Sequence, residues 1–160
     1  MAKEKLPVTQ AIRTLRAYNA EFSVYAYKYE DKGGTSLASK ELNVDEYNVI
    51  KTLVMEDEEG EAFLVLMHGD KKVSTKGLAR FLGVKSVTSC EPDKAHNLTG
   101  YFVGGISPFG TKRKLRVYIE STILGLETIY INAGKRGLLA EMKPRYLSDI
   151  LKPTPVKVAI

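Results

Sequence analysis

The 160-residue chain is 44% hydrophobic and 27% charged, a balance that fits one folded domain and excludes a disordered or fibrous chain. Its formal charge of +5, from 24 Lys and Arg against 19 Asp and Glu, favours encounters with polyanions without proving that one binds. The single cysteine, Cys90, excludes an internal disulfide. No apolar run reaches the roughly 18 residues of a membrane span and the first residues lack a signal-peptide core, so we expect a cytoplasmic protein without a membrane partner.

Hydrophobic spacing predicts helices and strands that are mixed along the chain without strict alternation. Helices are predicted at 9–18, 36–42 with Thr35 or Ser36 as its cap, 75–82, 92–99 and 144–151, with a helical turn at 121–124. Strands are predicted at 22–29, 47–55, 62–67, 84–90, 115–120, 128–132 and 138–142. We therefore expect an α/β fold: a single domain over 1–160 with a mixed, strongly twisted, partly barrel-like sheet, surrounding helices and a ragged tail at 153–160.

The most informative stretch is the loop 100–110, which contains four glycines and a proline within eleven residues. Such a backbone approaches a ligand closely and aims its own N–H groups at it. The turn can present consecutive N–H groups to a carbonyl that becomes an oxyanion, and its members are Gly104, Gly105, Ile106, Ser107 and Pro108. A tight connection without any ligand is the alternative interpretation.

Lys51 interrupts the apolar strand predicted at 47–55 and shares a face with Val49 and Leu53. Burial on that face would lower the pKa of the lysine unless an anion compensates for it. A buried lysine therefore indicates a ligand site. An inner salt bridge, or a stem that reaches water at the sheet edge, would explain the same pattern without a ligand.

Basic residues cluster beside the glycine-rich segments, at 112–116 and in the segment 131–137. The latter segment resembles a phosphate-binding loop only loosely, because it lacks the lysine-serine ending of a P-loop. On the strand at 22–29, Tyr25, Tyr27 and Tyr29 share one face, where they either line a groove or cover a half-exposed sheet.

The remaining reactive side chains give weak signals. Ser107 lies outside a Gly-x-Ser-x-Gly elbow, and neither His68 nor His96 has an evident reason to be its base. Two isolated histidines and one cysteine do not make a convincing metal site, so no metal is expected. No adjacent cation would lower the pKa of Cys90, which favours an inert thiol.

Three segments together resemble the YbaK/EbsC family, the free-standing relatives of the editing domain inserted in bacterial prolyl-tRNA synthetases. They are 50–53 (Ile-Lys-Thr-Leu), 99–110 and 127–137, and their order and spacing extend along nearly the whole chain. The resemblance implies a mixed α/β editing-domain fold and no metal or organic cofactor. It also implies an aminoacyl-tRNA deacylase that acts in trans on cysteine misattached to proline tRNA, with cysteine tRNA as a second candidate.

The family also implies roles for residues. The lysine matched by Lys51 is its essential site residue, and the loop matched by 104–108 binds around the scissile ester. We assign the aminoacyl pocket to Tyr27, Thr52 and Asn132, although some family members have serine at the last position. Further substrate-binding candidates are Tyr101, Pro108 and Gly134. The candidates for holding the acceptor end of the tRNA through its phosphates are Lys112, Arg113, Lys114, Lys135 and Arg136.

Two other classes of function remain open, as does a deacylase for another small amino acid. One is a module that binds an aminoacylated or nucleotide ligand, or a synthetase, without turnover. The other is a small-ester hydrolase that uses Ser107. In the deacylase, family precedent suggests that the thiol of the cysteinyl group attacks its own carbonyl, with proximity supplying much of the acceleration. Aminoacyl-tRNA is the expected partner and prolyl-tRNA synthetase a candidate one, and the oligomeric state is open.

Overall fold

Eight strands form one mixed sheet in the computed structural model, which describes residues 6–160. The strands are β1 (Phe22–Ala26), β2 (Val49–Asp57), β3 (Ala62–His68), β4 (Val87–Ser89), β5 (Val117–Glu120), β6 (Ile129–Asn132), β7 (Leu138–Met142) and β8 (Thr154–Val156). The helices are α1 (Gln10–Ala17), α2 (Gly34–Leu42), α3 (Thr75–Leu82), α4 (Pro92–Thr99) and α5 (Arg145–Leu151), with 3₁₀ turns at Glu46–Asn48 and Ser121–Gly125. The α/β prediction with a mixed sheet is confirmed.

The sheet runs in the order β1-β7-β6-β2-β3-β5-β8, and β4 pairs with the far end of β2. β2 and β3 form the antiparallel hairpin at its centre, whereas β6 lies parallel to β2 and β5 parallel to β3. The predicted partial barrel does not close, because within residues 6–160 the outer strands β1 and β8 do not pair with each other.

Local capping chemistry explains where several helices begin and end. The Oγ1 of Thr9 accepts a hydrogen bond from the N–H of Ile12 at the start of α1. The Oγ of Ser74 does the same for Gly77 in α3, and Gly83 ends that helix at φ +72°.

The cap predicted for the second helix is wrong. Gly33 occupies the cap position of α2, without a side-chain hydrogen bond. Thr35 is engaged elsewhere, since its hydroxyl donates to the Oε2 of Glu46 and approaches the carbonyl oxygen of Gly69. Contacts distant in the chain thus override the local capping preference of threonine.

The tail predicted to be ragged is ordered. β8 lies parallel to β5, and Val158 beyond it is only 5% exposed. The buried carboxylate of Glu120 accepts hydrogen bonds from the N–H groups of Val158 and Ala159, at 2.6 and 2.9 Å. Apolar side chains and a carboxylate acceptor therefore fix 154–160 against the domain. No helix in the described part of the chain is long and apolar enough to cross a bilayer.

A small apolar cluster positions the candidate site. Ala38 of α2 packs with Val49 of β2 and Leu139 of β7, and Tyr27 and Tyr130 flank them. α2 therefore covers this face of the sheet. A cavity opens beside the cluster, between α2, β2 and the glycine-rich loop.

Candidate active site

The three segments singled out in the sequence meet around one cavity of about 500 Å³. β2 contributes Lys51 and Thr52 to its wall, and the glycine-rich loop contributes Gly104 and Ile106. Asn132 at the end of β6 and Arg136 in the turn that follows also line the cavity, as does Tyr27. A volume of this size is within the usual range of small-molecule sites in proteins.

Lys51 reaches the cavity without an ion-pair partner. The one ion pair formed within residues 6–160 joins Lys94 and Glu56, so the inner salt bridge considered for Lys51 is absent from this part of the chain. Its Nζ lies 3.5 Å from the carbonyl oxygen of Gly69, at the limit of a hydrogen bond. Burial lowers the pKa of Lys51, and the charges of Glu46 and Asp70 oppose that shift only in part.

Thr52 presents an unsatisfied polar atom beside this lysine. Its Oγ1 is buried and, alone among the buried side-chain N and O atoms of the described residues, has no hydrogen-bond partner. Leaving such a group unpaired costs about 1–3 kcal/mol. Thr52 is among the residues that line the cavity, although this oxygen atom is itself buried.

The glycine-rich loop presents part of the predicted set of backbone donors. The N–H of Gly105 donates to the carbonyl oxygen of Phe102 at 2.8 Å and is therefore occupied. The N–H groups of Gly104, Ile106 and Ser107 have no acceptor within residues 6–160. Of these three residues, Gly104 and Ile106 line the cavity, so they are the strongest candidates for oxyanion donors.

The turn after β6 holds this loop in place. The Nδ2 of Asn132 donates to the carbonyl oxygen of Gly104 at 3.2 Å, and the Nε of Arg136 donates to that of Val103 at 2.9 Å. The Oδ1 of Asn132 accepts from the N–H groups of Gly134 and Lys135, at 2.7 and 3.2 Å. The two glycine-rich segments are thus joined by side chains from one of them.

Comparison with known proteins identifies the family. The model of the aminoacyl-tRNA editing domain matches residues 31–150, which include the cavity wall from Asp31 to Arg136. The chain belongs to the aminoacyl-tRNA editing domain family. This confirms the resemblance found in the sequence.

Relatives and solved structures agree with that assignment. The editing domain is 27% identical to a candidate Cys-tRNA(Pro)/Cys-tRNA(Cys) deacylase, EbsC, of Enterococcus faecalis, over 94% of this chain and 93% of the relative. It is 28% identical to a proline-tRNA ligase of Brachyspira hyodysenteriae, over 60% of this chain and only 17% of the ligase. A candidate trans-editing enzyme for prolyl-tRNA synthetase shares its fold, with a TM-score of 0.84 at 20% identity over 94% of this chain and 95% of the other. A hypothetical protein of known crystal structure also shares it, with a TM-score of 0.86 at 22% identity over 95% and 100% of the two chains.

Three of the predicted substrate-binding residues of the editing domain do not line the cavity. Tyr101 is buried, its hydroxyl donates to the carbonyl oxygen of Phe109 at 2.6 Å, and burial raises its pKa to about 12. Pro108 is also buried. Gly134 adopts φ +95°, and a Cβ there would lie 2.8 Å from the ring of Tyr101. Their contacts are those of a support for the loop.

None of the reactive side chains considered in the sequence forms an activated nucleophile. Ser107 is completely buried, and its Oγ accepts a hydrogen bond from the N–H of Phe109. The ring nitrogens of His68 bond Tyr47 and Thr122, and the Nδ1 of His96 bonds the carbonyl oxygen of Tyr101, so neither histidine contacts the serine.

Cys90 is equally unsuited to attack an ester. Burial, and next the negative charge of Glu56, raise the pKa of its thiol to about 11, which leaves little thiolate near neutral pH. No group of three His, Cys, Asp or Glu side chains in the described residues is arranged to hold a metal ion.

The basic residues predicted to bind tRNA lie outside the cavity, with one exception. Lys112, Arg113, Lys114 and Lys135 are exposed on the surface, whereas Arg136 is exposed and also lines the cavity. The N–H groups of Lys112 and Arg113 donate to carbonyl oxygens in the last turn of α4, which places the basic run beside the start of the glycine-rich loop.

Sequence reasoning missed one wall of the cavity. Asp31, Lys32, Gly34 and Thr35 line it, from the turn that leads into α2. In the sequence the pair Gly33-Gly34 indicates a turn but not a ligand site. Lys32 at φ +62° is a non-glycine residue in the left-handed region, which no local pattern in the sequence indicates.

Proposed function

We propose that this editing domain is a trans-acting aminoacyl-tRNA deacylase that removes cysteine from mischarged proline tRNA, and also accepts cysteine attached to cysteine tRNA. The observation that carries the proposal is one cavity lined by Lys51 and by Gly104 and Ile106, whose N–H groups have no acceptor within residues 6–160. No activated side-chain nucleophile accompanies them. Such a site holds and polarises an ester without itself attacking it.

The N–H groups of Gly104 and Ile106 are assigned to the ester carbonyl. Negative charge develops on that oxygen as the tetrahedral intermediate forms, and backbone donors fixed in advance stabilise it without reorganising. The hydrogen bonds from Asn132 and Arg136 to carbonyl oxygens of the loop supply the fixation. Lys51 is assigned to a phosphate or sugar oxygen of the terminal nucleotide, where an anion would restore the charged state that burial disfavours.

The nucleophile comes with the substrate. In a cysteinyl ester the thiol sulfur forms a bond to the carbonyl carbon, the bond from that carbon to the ribose oxygen breaks, and the thiol proton passes to the ribose oxygen. The products are a cysteine thiolactone and free tRNA. Holding the thiol against the carbonyl gives the acceleration of an intramolecular reaction. This accounts for a site in which Ser107 and Cys90 are both inert.

Tyr27, Thr52 and Asn132 are assigned to the aminoacyl group. Burial raises the pKa of Tyr27, so its hydroxyl stays protonated at neutral pH and can donate a hydrogen bond. Thr52 lines the same cavity, and a rotation of its side chain would bring the unpaired, buried Oγ1 into contact with the ligand. A small polar side chain such as that of cysteine suits these neighbours better than a larger apolar one.

The tRNA acceptor end is assigned to the exposed cations, which make sequence-independent phosphate contacts. They are Lys112, Arg113, Lys114, Lys135 and Arg136. The similarity to one part of a proline-tRNA ligase makes prolyl-tRNA synthetase the candidate partner that supplies mischarged tRNA.

The test is a deacylation panel with purified protein. Cysteinyl, alanyl and prolyl esters of proline tRNA, and the cysteinyl ester of cysteine tRNA, are incubated with wild-type protein, Lys51→Ala and Ser107→Ala. We expect loss of cysteine alone, abolished in Lys51→Ala and retained in Ser107→Ala, with thiolactone as the released product.

Each of the alternative results would require a change in one part of the proposal. Free cysteine as the first product would make water the nucleophile, and loss of alanine would change the substrate. Activity abolished in Ser107→Ala would favour the small-ester hydrolase. Binding of tRNA without any ester cleavage would favour a binding module.

A further inference from the structure

An aromatic and cationic group lies beside the cavity, and of its members only Arg136 has a role in the proposed function. This rim cluster consists of Tyr29, His96, Phe102 and Arg136. Phe102 is 64% exposed, although it is a large apolar ring. Tyr29 and Arg136 line the cavity, so the cluster begins where the cavity opens.

The rim cluster is organised before any ligand binds. The ring of His96 stacks on that of Phe102, with centroids 4.3 Å apart and planes 15° apart. The guanidinium of Arg136 lies over the rings of Tyr29 and Phe102, at 5.4 and 6.0 Å from their centroids. Hydrogen bonds hold its members, since the Nδ1 of His96 bonds Tyr101 and the Nε of Arg136 bonds Val103.

His96 covers one face of the Phe102 ring, and the guanidinium of Arg136 lies 6.0 Å from the ring centroid. The residue nevertheless remains 64% exposed, so much of the ring is open to a ligand. An exposed ring flanked by a guanidinium is the surface on which nucleobases stack, because each base has a flat π face and carries a phosphate that a cation attracts.

The charge around the rim cluster indicates which planar group fits it. The backbone N–H of Lys112 bonds Thr99, in the same turn of α4 that follows His96, and Gly100 lies beside the side chain of Lys112. A chain that leaves the cavity past Arg136 would thus cross Phe102 before it reaches the basic run 112–114. A polyanion with flat bases matches cations and an exposed ring in this order.

We propose that Phe102 stacks with the penultimate nucleobase of the tRNA acceptor end while the terminal aminoacylated nucleotide occupies the cavity. This inference rests on the proposed function for the identity of the ligand. The rim cluster then positions the single strand. It contacts the flat face of the base and does not distinguish one base from another.

A binding experiment tests the stack without requiring ester cleavage. The probe is an uncharged RNA hairpin that ends in CCA, with 2-aminopurine or an abasic site in place of the penultimate base. Phe102→Ala should weaken binding of the intact hairpin roughly 5- to 100-fold, the usual loss when a stacking ring is removed. Phe102→Trp should retain the affinity. Phe81→Ala is the matched control, because Phe81 is 55% exposed on α3 and does not line the cavity.

The abasic hairpin separates base stacking from an indirect effect on the loop. It should bind wild-type protein as weakly as Phe102→Ala binds the intact hairpin, with little further loss when both changes are combined. The 2-aminopurine fluorescence should fall on binding to wild-type protein and stay high with Phe102→Ala.

Three results would overturn the inference: equal affinities of Phe102→Ala and Phe81→Ala, an equal loss on intact and abasic hairpins, or no measurable binding of the hairpin by wild-type protein. The outcome is distinct from that of the proposed function. Binding with the expected pattern but no ester cleavage would refute the deacylase and keep the stack. Normal ester cleavage that Phe102→Ala does not affect would keep the deacylase and refute the stack.

Discussion

The side-chain amide of Asn132 donates to the carbonyl oxygen of Gly104 across 3.2 Å, and so connects the end of β6 to the loop that faces the cavity. The same side chain accepts the N–H groups of Gly134 and Lys135. Together with the hydrogen bond from Arg136 to Val103, Asn132 thus joins the two glycine-rich segments. The geometry of the free N–H of Gly104 depends on it.

Two substitutions of Asn132 separate the hydrogen bond that it donates to the loop from those that it accepts within the turn. Asn132→Ala removes both sets of hydrogen bonds, each with a net worth of about 0.5–1.5 kcal/mol, and should lower kcat for deacylation about tenfold. Asn132→Asp keeps the acceptor for Gly134 and Lys135 but places a carboxylate against the carbonyl oxygen of Gly104. We expect near wild-type thermal stability with a similar loss of kcat. Wild-type kcat in Asn132→Asp would show that the bond to Gly104 does not position the loop for catalysis.

Gly105 is the position where the two segments approach most closely. A Cβ on it would lie 2.7 Å from the backbone N of Arg136 and 2.9 Å from the carbonyl carbon of Lys135, neither of which can move like a side chain. Gly105→Ala should cost about 1–3 kcal/mol of unfolding free energy, as overpacked sites do, and reduce deacylation.

Gly125→Ala is its control. A Cβ at Gly125 meets nothing within 4 Å, so this variant should unfold within about 0.5 kcal/mol of wild type. Urea titrations of both variants measure the difference. Equal stability of the two would mean that the loops separate more easily than the backbone contacts indicate.

Lys51 should lower the stability of the folded protein while it supports deacylation. Burial holds the pKa of Lys51 below its usual 10.5, so the folded protein bears the cost of a charged, half-buried ammonium at neutral pH. Lys51→Met removes that cost and should leave the unfolding temperature unchanged or higher. It should also reduce deacylation roughly 10- to 100-fold or more, the loss expected for a charged hydrogen bond.

The effect of Lys51 on stability should change with pH. Between the lowered pKa of Lys51 and 10.5 the unfolded chain binds more protons than the folded one, so wild-type stability rises with pH in that window. Any stability advantage of Lys51→Met should therefore be full at neutral pH and shrink at alkaline pH. Denaturant titrations at both pH values measure it, and an advantage that grows with pH would contradict the assigned cause.

Local patterns predicted much of the fold and failed where distant contacts decide the outcome. β7 occupies the predicted 138–142, and α3 begins after Ser74 and ends at Gly83 as its caps indicated. The tail after Pro153 could not be predicted as a strand, because its order depends on the carboxylate of Glu120, which lies 38 residues from Val158 in sequence.

The candidate site shows the same division. Three segments that line the cavity were singled out from their glycines and from Lys51, since these residue types signal close approach and buried charge, whereas the segment at 31–35 was missed. Which loop residues face the cavity was not predictable, because an irregular loop has no periodicity. Tyr101, which belongs to the loop, packs against Gly134 of the neighbouring turn. The hydroxyl of Thr9, just before α1, donates to the carbonyl oxygen of Ala133 in that turn.

Ser107→Ala distinguishes a buried support from a nucleophile. Its Oγ accepts the N–H of Phe109, and removing a buried acceptor of this kind costs about 1–3 kcal/mol. We expect a lower unfolding temperature with kcat/KM within a few fold of wild type at a temperature where the variant is folded. A loss of about 10⁴-fold or more, as when a nucleophilic serine is removed, would restore the hydrolase interpretation.

The basic run beside α4 should contribute affinity that depends on salt. Replacing Lys112, Arg113 and Lys114 by Gln removes three exposed cations that do not line the cavity, so tRNA binding should weaken while deacylation at saturating tRNA persists. The slope of log affinity against log salt should flatten by roughly 0.7 to 0.9 for each phosphate that the variant no longer neutralises, because fewer counterions are released. Replacement of Lys76, Arg80 and Lys85, three exposed cations on and just after α3, serves as the control for net charge. An unchanged slope in the triple variant would place the acceptor end elsewhere, whereas an equal change in the control would reduce the effect to overall charge.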